Sequence, residues 1–555
     1  MAGPLSLETV KQSDRGPSSD GSPEPREKAS DSLAAYGHTD RAAGSLRAGQ
    51  DSGERAGSSA TADDRSLVGR VGWSGLAQMM PMLVQLALTP YFIRVLGLDG
   101  FGLWSLILVF LGTLTALDGG IGASLARFFA VHAAKHEPEA AGRLLLSAVA
   151  VFVLLGLVVS SVAVGLAEPL TGWLTLSSEL HSQAVEALRW LGILLLLALV
   201  NGAVVALLQA NHRFGRLAAS TAAAQLAYIV AALVLLQQGG PATVLVGILS
   251  TRYVVGIVLG FALARRLVRF RRPLFSRPSE RAEFRAYAGR MQLSSMTSLL
   301  NGEVDALLVA ALLPLRYVGI FVAAHQVASA ARSLPLYAFP PILTTIANSF
   351  AKDGLPGARA EFDRIEARWL PVVLGYTAVA ACAALLAVPI WLGDDFQLAG
   401  ALAAILALGY GIQVALTGIR TCFVRSIGRP GLETRYSVFS TIVNVALTLP
   451  FALIFGVAGV VAATAIALTG ASLYFAWLCR QFGIRDRPPH PSWLPAIAIG
   501  ATVTVLGALA IRETDWHGPL AAAAVGVPAL VGLATIVLPL RLVAARAKSP
   551  RSEGG

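Results

Sequence analysis

Residues 301–313 read NGEVDALLVAALL and lie inside a longer apolar stretch. Asn301, Glu303 and Asp305 therefore stand where lipid makes an ionisable group expensive unless it meets a partner or a polar cavity. A second group follows close behind, for His325, Ser329 and Arg332 fall at i, i+4 and i+7 and share one helical face. Leu315 marks a turn between the two stretches, and Asp305 and His325 are each ten residues from it. In an antiparallel helix pair they are level, about 15 Å below the turn at about 1.5 Å per residue. Asn301 and Asp305 share a face at i, i+4, Arg332 lies near the level of Asn301, and Glu303 points elsewhere. Two chemistries fit this arrangement. Asp305 and His325 could neutralise one another and lock a helix pair, or the residues could wall a polar cavity that binds a charged substrate or takes up a proton.

The first half of the chain carries its own polar set. Gln78 and Gln85 are one heptad apart, bracketing Pro81 and followed by Pro90, both of which kink helices. In ALDGGIGASLARFF, Asp118 and Arg127 flank Gly119, Gly120 and Gly122, which permit close helix packing; the Lys and Ser/Thr pair of a phosphate loop does not follow. Arg252, in LSTRYVVG, and Arg332 supply one fixed cation to each half, and guanidinium matches the oxygens of a diphosphate bidentately. Pro335, Pro340 and Pro341 should interrupt the helix that carries Arg332. Cys382, Cys422 and Cys479 lie far apart and indicate neither a disulfide framework nor a metal site. No cofactor site is predicted. The longest outward loop, EPLTGWLTLSSELHSQAVE, is too small to hold a set of catalytic carboxylates, so the chain is not expected to be an enzyme.

The elements that must position these residues follow from composition. Of 555 residues, 55% are hydrophobic and 14% charged, with mean hydropathy +0.64, which is the signature of an all-α polytopic membrane protein. A hydrocarbon core of about 30 Å takes about 20 apolar residues in a helix. The expected spans are 72–96, 101–123, 144–167, 187–209, 218–237, 242–264, 291–313, 317–340, 369–392, 397–418, 436–455, 457–478, 493–511 and 519–540, about 14 in all. With the N-terminus inside, the inward loops and C-terminal tail hold 29 Lys and Arg and the outward loops four. That asymmetry predicts an even number of spans with both termini cytoplasmic. Residues 1–66, rich in Ser, Gly, Ala, Asp and Arg, read as a disordered cytoplasmic tail; its acidic residues outnumber its basic ones, which excludes a nucleic-acid arm. No signal-peptide core follows the start.

An internal repeat organises the spans. LGLDGFGLW (96–104) lies over LPLRYVGIF (313–321), with Gly102 on Gly319, and RFGR (213–216) echoes RSIGR (425–429). The expected domains are an N-lobe of six helices (67–264), a basic cytoplasmic linker (265–290), a C-lobe of six (291–480), two additional spans (481–541) and a cytoplasmic tail (542–555). Such paired repeats hold substrate between lobes and alternate its access by rocking.

At YFIRVLGLDGFGLWSL, LDGGIGASLARFFA and NGEVDALLVAALLPLRYVGIFVAAHQVA the chain resembles the bacterial polysaccharide-transport flippases, the O-antigen and exopolysaccharide repeat-unit translocases of the multidrug/oligosaccharidyl-lipid/polysaccharide flippase superfamily. The resemblance implies two pseudo-symmetric lobes forming a V in the bacterial inner membrane. It implies flipping of undecaprenyl-diphosphate-linked oligosaccharide to the outer leaflet, with the sugar head in a cationic cavity and the tail in membrane lipids. Polysaccharide polymerase and chain-length machinery are the partners that go with such a role. Fourteen spans depart from the commonest form and leave open a relation to the lipid II flippase, whose first-span cationic motif is missing. A drug or cation antiporter of the same fold is the rival reading.

Overall fold

The computed structural model describes residues 56–117, 121–172, 178–238, 242–272, 280, 282, 284 and 304–484, with side chains from Met79 onward. The chain divides into two compact units, Met1–Val68 and Gly69–Gly555. The first contributes only the opening turns of a helix to the described residues, and the second is described below. Of the expected disordered tail at 1–66, residues 56–66 are helical, the opening turns of a helix that runs on to Leu117; residues 1–55, most of the linker and of span seven, both additional spans and the C-terminal tail lie outside the described residues.

All the regular structure described is helical: α1 (Ala56–Leu117), α2 (Ile121–Ala134), α3 (Pro138–Gly172), α4 (Ser178–Arg189), α5 (Leu191–Ala210), α6 (Phe214–Leu235), α7 (Ala242–Ala264), α8 (Val304–Leu312), α9 (Leu315–Leu336), α10 (Phe339–Leu392), α11 (Gln397–Ser426) and α12 (Gly431–Cys479), with short 3₁₀ turns between some of them. Among the described residues, eight helical stretches are long and apolar enough to cross a membrane. Three of these are bent where a glycine is left-handed, at Gly97, Gly354 and Gly456. Gly97 and Gly456 fall where the spans were expected to turn. At such φ a Cβ crowds the following carbonyl, so glycine is the residue that turns there without strain.

Two expectations about loops change. Residues 341–368, read as a cytoplasmic loop, are helical on both sides of Gly354, and the later part of the outward loop before span four, from Ser178, folds as the amphipathic helix α4. Alternation of charge on one face and apolar residues on the other made both look like loops. One consequence is that Arg420, counted among loop cations, is buried on α11 and bridges to the buried Glu366 of α10 at 2.7 Å. The prolines act as expected but more sharply: α9 ends just past Pro335, and Pro340 and Pro341 open α10 in the first-turn positions where a missing N–H costs nothing.

The internal repeat is physical. In the first half α2, α3 and α7 pack on α5; in the second, α9, α10 and α12 pack on α11, so α5 and α11 are equivalent hubs. His136, His212 and their counterparts Gly354 and Gly428 are all left-handed. At His212 and Gly428 the chain closes with the same hydrogen bonds: His212 N–H to Gln209 O and Arg213 N–H to Leu208 O, against Gly428 N–H to Arg425 O and Arg429 N–H to Val424 O. This sets Arg213 opposite Arg429, correcting the register drawn from RFGR and RSIGR, which set Arg213 opposite Arg425.

Gly102 and Gly319, paired in the sequence repeat, touch across the molecule. A Cβ at Gly319 would stand 3.4 Å from Gly102 Cα, and one at Gly102 would stand 2.9 Å from Leu315 Cγ. One apolar core runs through this junction, joining Phe92, Phe101 and Trp104 of α1 to Val309, Val318 and Phe321 of α8 and α9. A hydrogen bond from Thr89 Oγ1 to Gln326 Oε1, 3.3 Å, adds to it. A separate core, built of second-half residues alone around Phe362, Trp369, Phe423 and Phe475, fills the other end of that half. The halves therefore share a core at the Gly97 end of the helices.

Candidate functional site

Asp305 sits near the start of α8, 5% exposed. Its partners come from α12, which doubles back at Gly456. Asn444 donates to Oδ1 at 3.0 Å, Thr448 to Oδ1 at 3.4 Å and Thr464 to Oδ2 at 2.5 Å. Thr448 and Thr464 are equally far along the chain from Gly456, so the bend brings them to one depth on its two limbs. The sequence reading paired Asp305 with His325; the hydrogen bonds go instead to these three neutral groups. Equal distance from a turn fixes depth, but the direction of each face decides the partner, and that of Asp305 turns to α12. A carboxyl group buried among an amide and two hydroxyls has no cation in that first layer of partners, and a negative charge there is costly unless something offsets it.

His325 faces another neighbour. Its ring lies parallel to Phe321 at 6.0 Å and edge-on to Tyr410 of α11 at 6.1 Å, with Ser329 Oγ 3.3 Å from Nε2. The guanidinium of Arg332 lies over the face of the same Tyr410, 5.0 Å from its centroid. The expected common face of His325, Ser329 and Arg332 is thus one surface of α9, laid against Tyr410. Arg332 is half-buried, its Nε has no hydrogen-bond partner, and no carboxylate among the described residues forms an ion pair with it. Nearby, Gln413 Nε2 donates to Tyr436 Oη at 2.6 Å while Gln413 Oε1 is buried without a partner.

Arg252 lies midway along α7. Its guanidinium sits by the rings of Tyr228, at 5.8 Å, and Tyr253, at 5.5 Å. It lines a cavity of about 170 Å³ together with Pro81 of α1, Asn201 and Gln209 of α5 and Gln225 of α6. Cation–π contact holds the charge without neutralising it. Gln85 is half-buried on α1 one turn before Thr89, whose hydroxyl bonds both Gln85 O and Gln326 Oε1. Gln78 belongs to α1. Asp118, Asn301 and Glu303 lie outside the described residues.

The structure thus separates the residues into an Asp305 cluster, an Arg332–Tyr410–His325 cluster and an Arg252 cavity. Sequence reasoning missed Asn444, Thr448, Thr464, Gln225 and Tyr410. Asn444 and Gln225 had a signal, being amides inside apolar runs. The threonines had none, since a helical Thr ordinarily bonds its own preceding turn, as Thr464 also does to Val460 O.

The fold is shared with solved transporters. An inward-facing multidrug resistance MATE family transporter of the MOP superfamily superposes with TM-score 0.59 at 15% identity, covering 74% of this chain and 98% of its own. The lipid II flippase MurJ in an inward closed conformation gives 0.60 at 14%, covering 85% and 99%, and an outward-facing MATE family transporter gives 0.51 at 14%, covering 75% and 95%. Among curated proteins none matches the sequence. The polysaccharide biosynthesis protein family matches residues 67–344, a stretch that contains Arg252, Asp305, His325 and Arg332. That match, over half of the chain, makes the chain a member of the polysaccharide biosynthesis protein family.

Proposed function

We propose that the protein flips an undecaprenyl-diphosphate-linked oligosaccharide, a polysaccharide repeat unit, from the inner to the outer leaflet of a bacterial cytoplasmic membrane by alternating access. The observation that carries this reading is one half-buried arginine in each half, Arg252 and Arg332, each set against tyrosine rings and neither in an ion pair with a carboxylate among the described residues. Cations kept free at membrane depth are paid for by a ligand, and a diphosphate supplies oxygens in the geometry guanidinium takes. The lipid tail stays in the bilayer while the head crosses between the halves. Asp305 is the coupling residue, loading a proton or small cation in one state and releasing it in the other. Both termini are cytoplasmic, consistent with the distribution of Lys and Arg.

A second reading, a drug or cation antiporter, is favoured by one observation, the buried Asp305 carboxyl held by neutral groups. Reconstitution separates the two. Proteoliposomes should translocate a fluorescent undecaprenyl-diphosphate oligosaccharide, read as loss of leaflet protection. The double variant R252Q/R332Q should slow it by about tenfold to a hundredfold, the equivalent of one or two charge-assisted hydrogen bonds. Efflux of cationic dyes with no lipid movement would reverse the assignment, and unchanged flipping in the double variant would remove the arginines from the site.

A further inference from the structure

The cavity beside Arg252 is lined by helices of the first half alone, α1, α5, α6 and α7, so its walls belong to one half. Its charge comes from Arg252. Its second demand comes from Gln225, which is 3% exposed, lines the cavity and has a carboxamide oxygen with no hydrogen-bond partner. The hydroxyl of Tyr228, under the Arg252 guanidinium, is also buried and unpartnered. A buried polar atom left unmatched costs free energy until something donates to it or accepts from it. Asn201 adds an amide and is held close to α7 because position 256 is glycine: a Cβ there would stand 2.5 Å from Asn201 Oδ1. The rest of the wall is mixed: Pro81, Val205, Leu217 and Ala224 are apolar, while Gln209, Ser220 and Thr221 add polar groups. At about 170 Å³ the cavity has room for several waters or one sugar ring.

We infer that this cavity is a monosaccharide subsite for a sugar bearing an anionic substituent, phosphate or carboxylate: Arg252 takes the anion, Gln225 accepts from a ring hydroxyl, Pro81, Val205 and Leu217 pack against the C–H face, and the polar part of the wall faces further hydroxyls. A bare anion leaves Gln225 unmatched, and a neutral sugar leaves Arg252 unmatched, so the pair selects for both groups on one ring. The inference deepens the flippase reading and rests on it only for the sugar being lipid-borne; the same chemistry would hold a free sugar phosphate.

The test is calorimetry on the full chain in nanodiscs with three soluble probes, glucose 1-phosphate, glucose and inorganic phosphate, and one lipid probe, a short-chain lipid-diphosphate glucose. Glucose 1-phosphate should bind at least tenfold tighter than either fragment. Gln225→Leu should weaken it by about tenfold, the loss of one buried hydrogen bond, and leave inorganic phosphate unchanged, whereas Arg252→Gln should weaken both. Gly256→Ala, a one-carbon change that drives Asn201 into the cavity, gives an independent reading should Gln225→Leu fold poorly, and should weaken glucose 1-phosphate several-fold. Tighter binding of the lipid probe identifies the lipid-borne source, and equal binding the free one. Glucose 1-phosphate binding that ignores both variants, or that is no tighter than phosphate, overturns the subsite. Intact flipping together with that result would leave the transport reading standing, while variant-sensitive binding without flipping would leave the subsite standing and remove the transport reading.

Discussion

Asp305 takes its hydrogen bonds from three residues that approach from two limbs of one bent helix, and each of them is neutral. Replacing the acid by its amide tests what the charge does, because Asn keeps the size and most of the bonding capacity. Asp305→Asn should reduce gradient-driven transport at least tenfold in proteoliposomes while the yield of folded protein and its melting temperature stay level or rise, since the cost of a buried uncancelled charge is removed. Transport at the wild-type rate would make Asp305 a packing residue. The sequence made Asp305 visible as an acid inside an apolar run, and its depth followed from its distance to Leu315. Its partners were not legible there: direction around the helix depends on which neighbour packs alongside, and α12 lies more than a hundred residues further on. The same limit hid the ion pair between Glu366 and Arg420, two charges that read as loop residues until α10 and α11 buried them against each other.

At the scale of elements, the two halves solve the same chain reversals with different residues. His136 and His212 adopt left-handed backbone where the second half has Gly354 and Gly428. A side chain in that region costs about 1–2 kcal/mol relative to the right-handed helix, part of which a glycine returns through its greater freedom when unfolded. His212→Gly should therefore stabilise the protein by about 0.5–1 kcal/mol, and Gly428→Ala should destabilise it by about 1 kcal/mol, both read as shifts in reversible denaturant unfolding in detergent. Opposite signs at the two positions are the signature expected; a loss at both would mean that the His212 ring, tilted against Phe214 at 6.1 Å, matters more than its backbone. This substitution of His for Gly is also why the second echo of the repeat was read one turn out of register. The letters RFGR and RSIGR match by their arginines, whereas the chains match by the conformation at His212 and Gly428, which letters do not carry. The span boundaries were legible where a glycine or proline ended an apolar run, as at Gly97, Pro314 and Gly456, and illegible across 341–368, where a charged face made a helix resemble a loop.

For the whole molecule, the repeat that was visible in sequence proves to be the place where the halves meet. Gly102 and Gly319 have no side chains at the junction because none fits: a Cβ on Gly102 would stand 2.9 Å from both Leu315 C and Leu315 Cγ. In a transporter that works by rocking, a shared core at one end of the helices corresponds to closure at that end, and parting there accompanies closure at the other. Gly102→Val should push the equilibrium toward the parted state, since overpacking costs about 1–3 kcal/mol in the joined one, a shift of about fivefold to a hundredfold. Ser105, one turn along α1 and fully buried in the joined state, is the reporter. In a chain with Cys382, Cys422 and Cys479 replaced by serine, Ser105→Cys should react slowly with a membrane-impermeant maleimide, and adding Gly102→Val should speed the reaction several-fold from the Gly97 side. With the cytoplasmic termini proposed above, that side is the outer face, so the gain should appear in right-side-out vesicles and not in inverted ones. Equal labelling with and without the valine, at unchanged melting temperature, would mean that the junction is a fixed hinge about which the halves turn and not a gate that opens.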